Sequence, residues 1–227
     1  MPPPVRPGFG RLIAPDARDA LHPMRALTKR LVLPTSRLWR SFRDYVLDQG
    51  QTPHCVGFAW AGFLEAAPFM HELTNADGDR FYAIAQTLDE WPGTDYDGTS
   101  TRGGAKALQS LGLITGEYVW AQTEEDVWRF VLGRGPVVTG TTWLTGMFTP
   151  DKNGYLRLTG GEEGGHDWLI IGASEKRASY RLQNSWSASW GENGRAWITR
   201  EDYRQLLETL GGDACSAVEV APTRSLE

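Results

Sequence analysis

The stretch LQNSWSASWGENGRAWI, residues 182–198, tells most about the fold. It begins in one β-rich run, residues 179–184, and ends in another, residues 195–199, with glycines in the connection between them. Asn184 closes the first run. An asparagine there can cap a turn. Alternatively, its side-chain oxygen accepts the Nδ1–H of an imidazole and fixes the ring tautomer, while Trp186 shields that bond from water.

A histidine stands where a glycine-rich stretch meets an apolar run. His166 follows residues 160–165, which we expect to form a flexible loop, and precedes DWLIIG, residues 167–172, which we expect to form a strand. One interpretation is a hydrogen-bonded histidine at a strand end. The other is a general base, because such a base needs an imidazole on a rigid element at the rim of a cleft.

Cys55 opens the run CVGFAWAGFLE, residues 55–65, which predicts a buried helix with Pro53 near its start. A buried, inert cysteine is the default interpretation. Two features favour reactivity instead. The helix N-terminus stabilises a thiolate over a thiol, and the polar approach at residues 48–54 would leave the first helical turn accessible.

Taken together, these residues resemble the papain-like cysteine peptidases. The resemblance extends over roughly residues 40–210 and implies a helical lobe and an antiparallel β-barrel-like lobe with the active site in the cleft between them. The segments that carry it are DQGQTPHC (48–55), GTSTRGGAKALQSLGLI (98–114), GRGPVV (133–138), GGHDWLIIG (164–172) and LQNSWSASWGENGRAWI (182–198).

The resemblance implies catalytic roles for four residues. Cys55 is similar to the family's nucleophile, and His166 to its general base and acid. Asn184 would orient the imidazole. Gln49, six positions before the cysteine, stands where the family places the glutamine of its oxyanion hole.

The resemblance also implies a substrate groove whose register the sequence leaves open. By composition, positions 103–104 match the family's glycine pair. Alignment of the following residues favours positions 101–102, and either choice gives backbone contacts within residues 99–104. The predicted substrate-binding residues are Gly103, Gly104, Thr101, Arg102, Gly165 and Trp186. Trp143 is either a further groove residue or part of the core.

Three departures from the family pattern surround the cysteine. Thr52 replaces a cysteine that usually forms a disulfide, and Val56 replaces an aromatic residue. His54 is either an exposed turn residue or a modulator of the thiol. A metal site of His54, Cys55 and His71 lacks tight ligand spacing, so we expect no metal and no cofactor.

Helical patterns come first along the chain and β-rich runs second, which predicts an α+β protein rather than an alternating α/β sheet. We expect a proline-rich extension over residues 1–40 and a catalytic domain over 41–222, with a helical lobe at about 50–132 and a β lobe at about 133–222. The predicted helices are 24–31, 55–65, 79–88, 104–111, the run TEEDVWRFVL capped by Thr123, and 201–210; the predicted strands are 136–142, 167–172, 179–184, 195–199 and 217–220.

Composition excludes several classes of protein. The chain has 227 residues and a net charge of −5, which argues against nucleic-acid binding. No apolar run is long enough to span a bilayer and no signal peptide is evident, so we expect no membrane partner and synthesis in the cytoplasm. The two cysteines, Cys55 and Cys215, do not form a disulfide framework. We expect a monomer whose partner is a peptide or protein substrate.

These features predict a cysteine-type endopeptidase that hydrolyses peptide bonds through a thiolate–imidazolium pair and a thioester acyl-enzyme. The alternatives are a non-catalytic papain-like module that binds peptides, or another Cys–His enzyme such as an acyl transferase or a hydrolase of peptidoglycan peptides. For the N-terminal extension we expect permanent packing on the body. The alternative is a segment that blocks the cleft until it is trimmed.

Overall fold

The computed structural model describes residues 8–222, and within them the helices lie mainly in the first half. The helices are α1 (Met24–Thr28), α2 (Cys55–Glu65), α3 (Asn75–Leu88), α4 (Thr101–Ser110), α5 (Glu124–Gly133) and α6 (Arg200–Arg204). The strands are β1 (Ser36–Leu38), β2 (Tyr118–Trp120), β3 (Val137–Leu144), β4 (Glu162–Ser174), β5 (Ser179–Gln183), β6 (Arg195–Thr199) and β7 (Asp213–Ala217).

Helix α2 is the central helix of the molecule. All of its residues are buried, as its apolar sequence predicts, and it spans residues 55–65 as expected. It packs against α3 and α4 on one side and against β4 on the other. Because its first residue is Cys55, this packing holds the cysteine at the boundary between the helices and the sheet.

Side-chain caps set where the other helices begin. Thr74 and Asp77 form a capping box that starts α3 at Asn75, four residues before the predicted start. Ser100 accepts from the Gly103 amide, so α4 begins at Thr101 rather than at position 104. Thr123 caps α5 as predicted.

The strands form one antiparallel sheet in the order β2-β7-β3-β4-β5-β6, with β1 paired to β4. Strands β3 and β4 are adjacent over most of their length, with Thr141 opposite His166 and Gly140 opposite Asp167. The strand order does not close on itself, so the β-barrel-like part is an open sheet. The predicted α+β class is confirmed.

Two clusters of buried apolar side chains form the core. One surrounds α2 and contains Trp60 and Phe63; the other lies between the sheet and α5 and contains Trp143, Trp168 and Tyr180. Both clusters reach β4, whose alternating side chains point to opposite faces of the sheet. Strand β4 therefore connects the helical part of the molecule to the aromatic core.

Several predicted boundaries were wrong. The closing strand lies at Asp213–Ala217 instead of 217–220, where Val220 makes only an isolated bridge with Ile114. The helix expected over 201–210 is α6 followed by a π-helical turn, Gln205–Thr209. The short strands β1 and β2 were not predicted, because three residues give too little alternation to recognise.

The described part of the N-terminal extension runs along the body of the molecule. Residues 8–12 lie beside β4 and α4, α1 packs on α5, and β1 adds to the edge of β4. Arg102 holds this path by pairing with Asp19 and with the Ala14 carbonyl oxygen. No helix within residues 8–222 combines the length and apolarity needed to cross a bilayer.

Candidate active site

The sulfur of Cys55 is fully buried at the N-terminus of α2. The Asp167 amide donates to Sγ over 3.5 Å, and the backbone amides of Gly10 and Val56 also act to lower the pKa of the thiol. Burial and the nearby Asp167 carboxylate raise the thiol pKa to about 12, although the three amides act in the opposite direction. The sulfur is therefore a neutral thiol in this state of the molecule.

His166 lies on β4, directly before Asp167, and is also fully buried. Its Nε2 lies 2.8 Å from Oδ1 of Asn184, an atom that can only accept, so Nε2 carries the proton. The bond that orients the imidazole is thus donated by Nε2. The prediction that Nδ1–H donates to Asn184 was wrong. Nδ1 has no hydrogen-bond partner among the described residues, and its lone pair is available. Burial lowers the imidazole pKa to about 4.

Aromatic rings enclose the pair His166 and Asn184. The Trp186 ring lies 4.7 Å from the imidazole and the Trp143 ring 5.0 Å, both measured between centroids. Trp143 is fully buried, so it belongs to the core rather than to a groove surface. These rings keep water from the imidazole–amide bond, which strengthens it.

The Gln49 side chain is buried, and both ends of its amide are used. Nε2 donates to the Thr52 carbonyl oxygen over 2.8 Å and to the Gly8 carbonyl oxygen over 3.2 Å. Oε1 accepts from the Ser185 hydroxyl over 2.6 Å. The amide is thus held in place, and one of its donor contacts is to a carbonyl of the N-terminal extension.

Residues 8–12 of the extension, which we call the cleft segment, lie across this site. Gly10 and Arg11 donate their amides to the Gly165 carbonyl oxygen over 3.2 and 3.1 Å. On the other side, Thr99 donates to Gly10 over 2.8 Å and accepts from Leu12 over 2.9 Å. The cleft segment therefore occupies the backbone groups that an extended peptide would use.

Glycines make this close approach possible. A Cβ on Gly10 would overlap the Pro53 carbonyl oxygen, and one on Gly165 would overlap the carbonyl oxygen of Arg11. A Cβ on Gly164 would come within 2.9 Å of the Phe9 ring. The glycine-rich stretch before His166 was expected to be a flexible loop, but most of it belongs to β4 and packs against the cleft segment.

The groove residues proposed from the resemblance fall into different environments. Gly165 accepts from the cleft segment, and Trp186 contacts the Phe9 ring at 6.0 Å between centroids. Thr101 bonds to Asp167 and to Asp213, the acid that pairs with Arg11. Gly104 lies inside α4 against Trp60. Gly103 faces Thr99, Asp89 and Ala85, none of which belongs to the cleft segment. Arg102 binds the extension outside that segment, at Asp19 and Ala14. Neither of the two candidate pairs, positions 101–102 or positions 103–104, therefore borders the groove with both of its residues.

The side chain of Arg11 is inserted beside the site between two acidic residues. Its Nη2 lies 2.9 Å from Oδ2 of Asp213 and donates over 2.9 Å to the Gly211 carbonyl oxygen. The second acid is Asp167, whose Oδ1 lies 3.1 Å from the Thr101 hydroxyl. Burial and the charge of Asp213 raise the pKa of Asp167 to about 8, while Arg11 lowers it.

The other candidate residues lie apart from this chemistry. Nδ1 of His54 is 2.7 Å from Oδ1 of Asp79, and the ring stacks on Tyr82 at 4.0 Å between centroids. His71 is 3.1 Å from the Ala221 carbonyl oxygen. Cys215 is a buried free thiol, as is Cys55. Among residues 8–222 no three His, Cys, Asp or Glu side chains are grouped to hold a metal ion.

A family model described as papain family cysteine protease matches residues 82–212, more than half of the chain. The chain belongs to the papain family. The match includes His166 and Asn184, whereas Gln49 and Cys55 precede it. Family and fold therefore support a cysteine peptidase, and the roles of the individual residues are taken up as a proposal below.

Known proteins similar to this papain-family chain differ widely from it in sequence. The gamete and mating-type specific protein A of Dictyostelium discoideum is 27% identical over 186 residues, 71% of this chain and 41% of that protein. The chain thus spans less than half the length of this curated relative. Two solved structures share the fold at 18% identity: xylellain, a cysteine protease from Xylella fastidiosa (TM-score 0.70, covering 99% of both chains), and digestive procathepsin L2 proteinase from Tenebrio molitor (TM-score 0.62, covering 96% of this chain and 76% of that one).

Sequence reasoning missed several residues at the cleft of this papain-family chain. Thr99 supplies the backbone pairing and lies within the predicted range 99–104, but Asp213, which pairs with the guanidinium of Arg11, and Asp167, whose charge acts on it, were not predicted. Asp167 had a usable signal, since it directly follows the candidate histidine in an otherwise apolar strand. Asp213 and Arg11 had none, because their pairing joins residues about 200 positions apart.

Proposed function

We propose that this chain is a cysteine-type endopeptidase in which Cys55 is the nucleophile and His166 the general base and acid. The supporting observation is one set of contacts. The cysteine sulfur receives the amide of Asp167, the residue next to His166, and the imidazole is oriented through Nε2 by Asn184. The free lone pair on Nδ1 is what a base for the thiol proton requires.

The proposed reaction begins when the cleft is open to a peptide. Nδ1 of His166 takes the proton of the Cys55 thiol, and the thiolate attacks the scissile carbonyl carbon. Nε2 of Gln49 and the Cys55 amide donate to the oxyanion. Nδ1–H then protonates the leaving amine, the C–N bond breaks, and a thioester remains. A water molecule, deprotonated by the same imidazole, hydrolyses the thioester and restores the thiol.

The cleft segment keeps this machinery at rest. Its Gly8 carbonyl accepts from Gln49, and its backbone pairs with Thr99 and Gly165. Burial under the segment also favours the uncharged thiol and imidazole over the reactive ion pair. We therefore propose that catalysis requires residues 8–12 to leave the cleft. The permanent packing expected for the extension would then apply to α1 and β1 and not to the cleft segment.

The variant Gly10→Val, made in the full chain, tests this function. Its side chain would overlap the Pro53 carbonyl. Overpacking of this kind costs about 1–3 kcal/mol. That cost would increase the fraction of molecules in which residues 8–12 have left the cleft by roughly 5- to 150-fold. We expect mass spectrometry of a peptide library to detect cleavage at least about fivefold faster than with the wild type. Gly161→Val is the matched control, because a Cβ at Gly161 meets no atom within 4 Å.

A further Cys55→Ala change in the Gly10→Val background should abolish all cleavage. Cleavage that persists without Cys55 would contradict the proposed nucleophile. If the Gly10→Val protein binds library peptides but leaves every one intact, the chain is the non-catalytic binding module instead. Transfer of the acyl group to added amines in preference to water would indicate the acyl transferase.

A further inference from the structure

A fully formed pocket beside the candidate active site holds the guanidinium of Arg11. The side chain of Arg11 is 1% exposed, and it pairs with Asp213 and the Gly211 carbonyl. The charges of Asp213 and Asp167 both raise the pKa of the guanidinium against the effect of burial. A cation that is desolvated to this extent is stable only with such compensation.

The pocket, which we call the acidic pocket, is built by the body of the protein and not by the extension. Its walls are Asp167 on β4, Asp213 on β7 and Thr101 at the start of α4. The Thr101 hydroxyl lies 2.7 Å from Oδ1 of Asp213 and 3.1 Å from Oδ1 of Asp167, so it holds the two acids together. The pocket would therefore persist when Arg11 leaves.

A glycine leaves space for the guanidinium. An added Cβ on Gly140 would come within 2.5 Å of Oδ1 of Asp167, 2.6 Å of Nε of Arg11 and 2.7 Å of Oδ1 of Asp213. Any larger residue at this position would fill the pocket between the acids. A glycine in the middle of a strand normally weakens the strand. In β3, Gly140 lies at the point where the Arg11 side chain enters the pocket.

Arg11 does not use all the hydrogen-bonding capacity of the acidic pocket. Oδ2 of Asp167 is buried without a partner among the described residues, and so are Nε and Nη1 of Arg11. If Arg11 left and nothing replaced it, two acidic groups would face each other without a cation, which disfavours the ionised form of both. The pocket is suited to a cationic side chain and fits that of Arg11 only in part.

We propose that the acidic pocket selects peptide substrates that carry arginine, or less favourably lysine, close to the scissile bond. This inference rests on the proposed function and adds the substrate class. Arg11 follows Gly10, whose amide donates to the carbonyl oxygen of Gly165, the residue before His166, so the pocket accepts a side chain that enters beside the candidate catalytic residues. Arginine is preferred because its planar donors can reach two carboxyl groups at once.

Binding tests the acidic pocket without any need for catalysis. The protein is the full chain with Gly10→Val and Cys55→Ala, and the probes are fluorescent alanine-based hexapeptides in which arginine, or its uncharged analogue citrulline, is moved through each position. We expect the arginine peptide to bind at least about tenfold more tightly than the citrulline peptide at one position, a difference typical of a charge-assisted contact. Equal affinities at every position would overturn the proposal.

Asp213→Asn, added to the same protein, should bring the arginine peptides to the affinity of the citrulline peptides and leave the citrulline peptides unchanged. Gly140→Ala should weaken the arginine peptides as well, because its Cβ enters the pocket. An arginine preference that survives both changes would place the cation elsewhere and contradict the proposal. If neither variant folds, the comparison of arginine and citrulline peptides on the Gly10→Val, Cys55→Ala protein still decides whether the chain selects arginine.

Cleavage of the same peptides by the Gly10→Val protein separates this inference from the proposed function. An arginine preference in kcat/KM at the position found by binding supports both. Selective binding with no cleavage would refute the peptidase and leave the pocket's selectivity established. Cleavage with no preference between arginine and citrulline would support the peptidase and refute the selectivity.

Discussion

At the scale of single residues, burial decides the chemical state of the two central groups. The Cys55 thiol has its pKa raised to about 12 and the His166 imidazole has its pKa lowered to about 4, in both cases mainly because burial disfavours the charged form. The hydrogen bond that Nε2 of the imidazole donates to Asn184 opposes this effect without cancelling it. In the proposed reaction, access of water to the opened cleft would favour transfer of the thiol proton to the imidazole.

The titration of His166 provides a direct prediction. Exposing the ring to water removes the penalty on the imidazolium, so the pKa should rise from about 4 in the wild type by at least about one unit toward its ordinary value near 6.5 in Gly10→Val. NMR of histidine-labelled protein over pH 3–9 measures this. His71, which bonds to the Ala221 carbonyl, is the internal control and should titrate alike in both proteins. An unchanged His166 pKa would mean that the cleft segment does not cause the burial.

At the scale of elements, the sequence predicted α2, α5 and β6 well, because each pattern carries its own boundary. Apolar residues fill α2, a capping box starts α5, and alternating burial marks β6. Strand β4 was predicted too short, since its glycines read as a loop. Gly164 and Gly165 leave room for residues 8–12, which pack closely against them. This is a tertiary contact, and local sequence patterns do not predict it.

Helix α4 illustrates the same limit. A glycine pair in a resembling segment suggested a substrate groove, yet Gly104 is the point where α4 approaches the Trp60 ring of α2. Within the predicted range 99–104, it is Thr99, two residues before the helix, that pairs with the cleft segment. Composition alone does not distinguish a glycine that admits a ligand from one that admits a neighbouring helix.

The packing of α4 predicts a loss of stability for Gly104→Ala. The new Cβ would lie 2.5 Å from Nε1 of the buried Trp60 ring, so we expect destabilisation by about 1–3 kcal/mol, even though alanine favours helices by up to about 1 kcal/mol over glycine. Urea unfolding measures the free energy. Gly135→Ala is the control, since its Cβ would meet only Phe130 at 3.9 Å. Equal stability of the two variants would show that α4 and α2 are not packed this closely.

At the scale of the whole molecule, the extension combines two arrangements that the sequence presented as alternatives. Strand β1 and helix α1 pack on the body, while residues 8–12 occupy the cleft. The sequence could not reveal this, because Arg11 and Gly10 meet partners at positions 99, 165 and 213, which only folding brings together. The four catalytic candidates could be predicted because each stands in a recognisable local motif, and their roles remain a proposal.

The alkylation rate of Cys55 tests the central claim, that a reactive Cys55–His166 pair lies under the chain's own residues 8–12. Limiting iodoacetamide near neutral pH, followed by peptide mapping, should label Cys55 and Cys215 slowly in the wild type and in the Gly161→Val control. In Gly10→Val, Cys55 alone should react at least about fivefold faster, and His166→Ala in that background should remove the gain. Rapid labelling of wild-type Cys55, or a rate that depends on neither Gly10 nor His166, would contradict the claim.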